Sequence, residues 1–179
     1  MCAYRILALD GGGIRGLVTA MLLERLESAC PGFLDRIDLF AGTSTGGLLA
    51  LGLAAGKTPH DARKLYENYG EKVFADTIMD DVRDLGTLLG ADYSLQPLRE
   101  ALNQEFSGLK LADLPKKVLV AAFDLDNQPV STGIRHWKPK FFHNYPGSDS
   151  DGEQCVVDVG LYTSAAPTYF PIVDGYIDG

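Results

Sequence analysis

Two stretches of this chain hold residue types that could do chemistry at short spacing. Gly42-Thr43-Ser44-Thr45-Gly46 sets a serine in the pattern G-x-S-x-G, and Asp10-Gly11-Gly12-Gly13-Ile14-Arg15-Gly16 supplies adjacent glycines. A serine at a sharp strand-to-helix turn is the position of an activated nucleophile, flanked by small residues because side chains there would strike neighbouring elements. The plain structural use of Ser44 is as the N-cap of the following helix. Its context, after an apolar run and before a helical one, favours the nucleophile. For Gly11, Gly12 and Gly13 the plain use is a tight turn. Three adjacent glycines cost much backbone entropy, so close approach of a ligand or oxyanion accounts for them better.

A nucleophilic serine needs a group to take its proton, and the chain has 3 histidines. His60 sits at a helix start with an exposed side chain, and His136 lies in a polar, basic stretch. His143 is the best imidazole, with Asp158 to orient it. In α/β-hydrolases the histidine follows the acid along the chain, and no histidine follows Asp158. The competing bases are Asp174 and Asp178, each followed by glycine. Asp174-Gly175 is a hairpin-turn signal that needs no functional explanation. Asp178 follows the short strand Tyr176-Ile177, which returns the chain to the sheet edge, and is the favoured base.

The elements that must position these groups alternate. Residues 4–9 read as a buried strand and 14–29 as a helix with Leu17, Ala20, Met21, Leu23 and Leu26 at helical spacing. Residues 37–41 read as a second strand and 45–55 as a small, apolar, buried helix. Such a βαβ unit makes the strands parallel and brings both glycine turns to one edge, each at a helix N-terminus that favours negative charge. Thr58-Pro59 opens a helix reaching about residue 69. Residues 71–93, punctuated by Asp and Gly, are expected to form short helices or a mobile excursion. Ser94 caps a helix over 95–106 ended by Gly108, and 111–114 add a turn. Residues 117–125 form a strand, Asp126-Asn127-Gln128-Pro129 is a turn with flanking segments paired around it, and 156–166 form a helix stopped by Pro167.

These motifs together resemble the patatin-like phospholipase family. Asp10 to Gly16, Gly42 to Gly47, Ser164-Ala-Ala-Pro-Thr-Tyr-Phe-Pro171 and Asp178-Gly179 occur in the family's order and span the chain. The resemblance implies a three-layer α/β/α fold with a mainly parallel central sheet. It implies a Ser-Asp dyad, with Ser44 as nucleophile and Asp178 as base through the family's D-G-G/A motif. It also implies an oxyanion hole on Gly12 and Gly13 with Arg15 nearby; Asp10, Gly11, Gly16, Gly42, Gly46 and Gly179 complete the motifs. The expected activity is hydrolysis of a phospholipid or acylglycerol ester, with transient contact at a membrane surface and neither cofactor nor metal. Residues 1–179 are expected to be one catalytic domain, shortened at its C-terminus relative to the family. Val73, Phe74, Ile78, Met79, Leu85, Leu88 and Leu89 could rim an acyl site, although plain core packing accounts for them better.

Composition narrows the alternatives. A formal charge of −8 with no Lys/Arg cluster argues against a nucleic-acid surface. The cysteines, Cys2, Cys30 and Cys155, are odd in number and lack metal-type spacing, which points to free thiols in a reducing cytoplasm. No basic and apolar leader opens the chain, and no apolar run approaches the ~18 residues of a membrane span. Oligomeric state is left open. Gly11 to Gly16 is also a literal G-x-G-x-x-G, the dinucleotide-binding fingerprint, but that fold wants an acid at the end of the second strand, and Asp35 and Asp38 come too early. Gly52 to Thr58 resembles a phosphate-binding loop one residue short, placed after a helix rather than a strand. A non-catalytic lipid-binding relative is the remaining alternative.

Overall fold

The computed structural model describes residues 3–80, 95–126, 135–167 and 169–179, without the side chains of Tyr69 and 71–80. Its centre is a sheet in which β1 (Ile6–Leu9), β2 (Leu39–Thr43) and β3 (Lys117–Asp124) run parallel. Two antiparallel strands complete it. β4 (Lys138–His143) flanks β3 along Leu119 to Asp124, and β5 (Tyr176–Asp178) pairs Ala122 to Asp124. β2 occupies β3 from Lys117 to Ala121, so β5 takes over one residue further along and meets β2 nearly end to end.

The helix α2 (Ser44–Ala54) is apolar on all sides and therefore has to be central. Gly46 to Ala54 are buried apart from a half-buried Leu48, and Ala50, Leu51 and Ala54 are wholly enclosed. α2 packs on the sheet beside α5 (Val156–Ser164). Outside these two lie α1 (Gly16–Ala29), α3 (Pro59–Asp80) and α4 (Gln96–Phe106). Parallel crossovers are right-handed as a rule, and with the strand order β1-β2-β3 that rule carries the connecting helices to a common side. The buried series Leu9, Phe40, Val118, Val120 and Phe142 faces these helices. The other face shows Ile6 and Phe141 exposed and Leu119, Ala121 and Phe123 half-buried. The α/β class and the parallel core of the sheet are as expected.

Several elements differ from the sequence reading for identifiable reasons. Among the described residues β1 is an edge strand, and of its residues only Leu9 is buried. A 3-10 turn at Gly13–Arg15 precedes α1, and Met21 and Leu26 are exposed while Gly16, Ala20 and Leu23 face inward. α3 continues through the acid-rich stretch to Asp80; Leu85, Leu88, Leu89 and Ser94 lie outside the described residues, as do the side chains of Val73, Phe74, Ile78 and Met79. The expected turn at Asn127 to Pro129 is outside them too. Thr58 and Asp61 cap α3 reciprocally: the Thr58 amide and hydroxyl donate to Asp61 Oδ2 at 2.9 and 2.7 Å, and the Asp61 amide donates back at 3.1 Å. Asp174 and Gly175 have φ of 50° and 86°, the pair of positive values that a two-residue hairpin turn requires, and Val173 and Tyr176 bridge across it.

Candidate active site

The turn from β2 into α2 holds Ser44 at φ 53°. A left-handed backbone costs a non-glycine residue about 1–2 kcal/mol, and such strain persists only where surroundings over-determine it. Here the surroundings are glycines. A β-carbon on Gly42 would collide with the Gly46 carbonyl, and one on Gly46 with the Leu9 carbonyl at the end of β1. One on Gly11 would lie 2.7 Å from the Ser44 β-carbon. Gly11 therefore lets the first glycine turn lie directly against the serine. In that turn Gly12 and Gly13 have φ of 150° and 57°, and Arg15 Nε donates to the Gly12 carbonyl at 3.2 Å.

Ser44 Oγ donates to Asp178 Oδ2 at 2.7 Å, joining residues 134 positions apart. The acid reaches the serine because β5 ends where β2 ends. Thr43 Oγ1 donates to the Gly179 carbonyl at 2.6 Å, and the Asp178 amide donates to the Ala165 carbonyl at 3.0 Å. Upstream, the Tyr162 hydroxyl donates to Asp174 Oδ2 at 2.9 Å, and Tyr162, Phe142 and Tyr176 pack ring on ring with centroids 4.6–5.5 Å apart. Burial pushes the Asp178 carboxyl above its ordinary pKa, and the Ser44 hydroxyl and the Gly179 backbone pull more weakly the other way. Asp178 Oδ1 is buried without a partner among the described residues.

Ser44 and Asp178 open onto a cleft of about 550 Å³. Gly11, Gly12, Gly13, Arg15 and Gly179 line it, as do Ser164, Tyr169 and Phe170 from the segment after α5. Asp10, Gly16, Gly42 and Gly46 do not. Asp10 is exposed, Gly42 and Gly46 serve backbone packing, and Gly16 leaves room for the Tyr66 hydroxyl. Leu48 and Leu98 line both this cleft and a narrow apolar crevice between α2, α3 and α4, which continues past Leu102 to Phe106.

The structure does not assemble a histidine triad. His143 stacks on Tyr145, accepts from the Tyr145 amide, and has Asp149 3.8 Å away. Asp158 pairs with Arg99 at 3.6 Å, and His60 with Glu24 at 2.9 Å. His136 is exposed, and none of the three lines the cleft. The dinucleotide reading fails because β2 runs into Ser44 instead of ending on an acid. The phosphate-loop reading fails because Gly52 lies within α2 and Lys57 pairs with Glu105 at 2.6 Å. Thr163, which sequence reasoning missed, accepts from the Ser44 amide at 2.8 Å and donates to the Ala121 carbonyl at 2.6 Å. Its one sequence signal was its place immediately before the Ser164 to Pro171 motif.

Comparison with known proteins agrees with this architecture. The family model described as "Patatin-like phospholipase" matches residues 7–179. The cGAMP-activated phospholipase of Pseudomonas aeruginosa (strain BWHPSA011 / Pa011) is 40% identical over 94% of this chain and 49% of its own length. Patatin-17 of Solanum cardiophyllum is 30% identical over 93% of this chain and 43% of its own. Among solved structures, VipD from Legionella pneumophila superposes with a TM-score of 0.55 at 16% identity, covering 98% of this chain and 46% of that one, a likeness of fold. The chain spans about half the length of the curated relatives it matches. With the family model covering nearly every residue, the chain belongs to the patatin-like phospholipase family.

Proposed function

We propose that this chain carries the catalytic unit of a lipid acyl hydrolase, of phospholipase A or esterase type, working through Ser44 and Asp178. The observation that carries this reading is the 2.7 Å hydrogen bond from Ser44 Oγ to Asp178 Oδ2, at the floor of a cleft walled by the glycine turn. Asp178 takes the Ser44 proton as Oγ attacks the ester carbonyl carbon. The tetrahedral oxyanion is bound by the backbone amides of Gly12 and Gly13, with Arg15 alongside; a donor of this kind is worth about 3–4 kcal/mol in the transition state. Collapse expels the alcohol, which leaves with the proton from Asp178, and Ser44 is left acylated. Asp178 then deprotonates a water that attacks the acyl carbon; Oδ2, which loses the Ser44 hydrogen bond once Oγ is acylated, is the oxygen placed to accept that proton. Release of the fatty acid returns the proton to Ser44.

A carboxylate is ordinarily too weak a base for an alcohol. The partial desolvation that raises Asp178 narrows the gap from one side, and the N-terminus of α2 favours alkoxide character at Ser44 from the other. The family name and the relatives named phospholipases support a phospholipid or acylglycerol substrate. The apolar crevice reached past Leu48 and Leu98 supports an acyl chain lying there. Among the described residues no helix is long and apolar enough to cross a membrane, and transient contact at a lipid surface is the mode of access that goes with this reading. A cytoplasmic setting goes with it as well, resting on the free thiols of Cys30 and Cys155.

The test is hydrolysis of p-nitrophenyl butyrate and of phosphatidylcholine vesicles by the wild-type protein and by Ser44→Ala. Wild type should release product from both, and the variant should lose at least about 1,000-fold in kcat with its circular dichroism unchanged. Turnover kept by the folded variant would contradict the serine mechanism. A wild-type chain that bound vesicles without turnover would favour the lipid-binding reading.

A further inference from the structure

The Ser164 to Pro171 motif has no role in the chemistry above, yet the chain leading into it touches both reacting groups. We propose that the C-terminal end of α5, Thr163 to Ala165, is a bracket that sets the distance between Ser44 and Asp178, with Thr163 as its positioning residue. This rests on the reading of those two residues as nucleophile and base.

As the first residue of α2, Ser44 carries an amide with no partner inside its own helix. An N-cap side chain serves the amides two and three residues on, not the first one, and the Thr43 hydroxyl is committed to the Gly179 carbonyl in any case. Thr163, 119 positions away and fully buried, supplies the partner. Its hydroxyl accepts from the Ser44 amide and donates to the Ala121 carbonyl on β3, so both its donor and its acceptor are used. Ala121 is the last residue of β3 that pairs with β2, and Ala122 is the first partner of β5, at Asp178. Thr163 thus fills the junction between the strand that delivers the serine and the strand that delivers the acid. Two residues later, the Ala165 carbonyl takes the Asp178 amide. One short segment holds the backbones of both groups.

The space for this was left by α2. A β-carbon on Gly47 would lie 3.0 Å from both Oγ1 and Cγ2 of Thr163. A side chain at position 47 would crowd Thr163 and Val120 by a few tenths of an ångström and so press on the hydroxyl that holds the Ser44 amide. A β-branched residue whose methyl packs there and whose hydroxyl bridges two backbones has two replacements that separate these duties. Valine keeps the shape without the hydrogen bonds, and serine keeps the hydrogen bonds without the methyl.

The experiment measures kcat, KM and the rate of labelling by a fluorophosphonate for wild type, Thr163→Val, Thr163→Ser and Gly47→Ala, with Ser44→Ala as control. Rates are referred to folded protein. Thr163→Val should lower kcat and the labelling rate about 10- to 100-fold with KM within about twofold, because a misplaced nucleophile slows chemistry and not binding. Thr163→Ser should recover to within about threefold of wild type. Gly47→Ala, which leaves the threonine in place chemically, should slow kcat in the same direction and supplies the test should the valine variant not fold. Wild-type kcat in Thr163→Val or in Gly47→Ala would overturn the bracket, as would Thr163→Ser as slow as Thr163→Val. Turnover surviving in Ser44→Ala would overturn the underlying dyad instead, so the two failures are told apart.

Discussion

At the scale of single residues, Asp178 is held in a state that is poor for stability and useful for chemistry. Burial raises its pKa, so between the ordinary carboxylate value and the raised one the native state keeps a proton that the unfolded chain has lost. Native protons then outnumber unfolded ones, and stability falls as pH rises through that window. The penalty is absent below the ordinary value and complete above the raised one. Asp178→Asn removes it, so at pH 7 the variant should melt at or above the wild-type temperature while losing about 100-fold or more in kcat. Wild-type kcat/KM should fall on the acid side with a midpoint above about 4, the ordinary carboxylate value. Calorimetry and a pH–rate profile check both. Ser44, at φ 53°, is a second case of local strain held at the centre of the cleft. Ser44 and its flanking glycines stood out in the sequence, because local rules govern sharp turns, whereas Asp178 stood out through its family motif. Thr163 did not, because a hydroxyl that bridges Ser44 and Ala121 has no local pattern.

At the scale of elements, α2 joins the cleft to the crevice behind it. Leu48 on α2 and Leu98 on α4 line both spaces, and the crevice beyond is walled by apolar side chains such as Ala62, Leu102 and Phe106. An acyl chain bound there has to pass these two leucines. Leu98→Trp should therefore cut kcat/KM for a p-nitrophenyl ester of about ten carbons by 10-fold or more and leave the acetate ester within about threefold, a discrimination of the size hydrophobic pockets give. Equal losses on both esters would mean that the chain lies elsewhere. The helical identity of α2 was legible because a run without a polar face is either buried or not a helix in solution. The length of α3 was not, since Asp and Gly are read as breaks and the helix runs through them to Asp80. The burial of β1 was misjudged for a related reason: an apolar run does not say whether its strand has a neighbour on both sides.

At the scale of the whole molecule, the site is a meeting of strand ends. Parallel strands bring the turns after β1 and β2 to one edge, and the antiparallel β5 comes back to the same edge with Asp178. The convergence of the two turns was legible in the alternation of strand and helix. The arrival of the acid was not fixed by any local pattern, and it depends on the hairpin at Asp174-Gly175, the Tyr162, Phe142 and Tyr176 rings and the Ala165 carbonyl. The claim on which this account turns is that Ser44 is activated by Asp178. Its most direct test is mass spectrometry after fluorophosphonate treatment of wild type and Asp178→Asn. Wild type should carry one adduct per chain, on the peptide holding Ser44, and labelling should be slowed about 100-fold or more in the variant. An adduct on another residue, or wild-type labelling at Ser44 in Asp178→Asn, would contradict it.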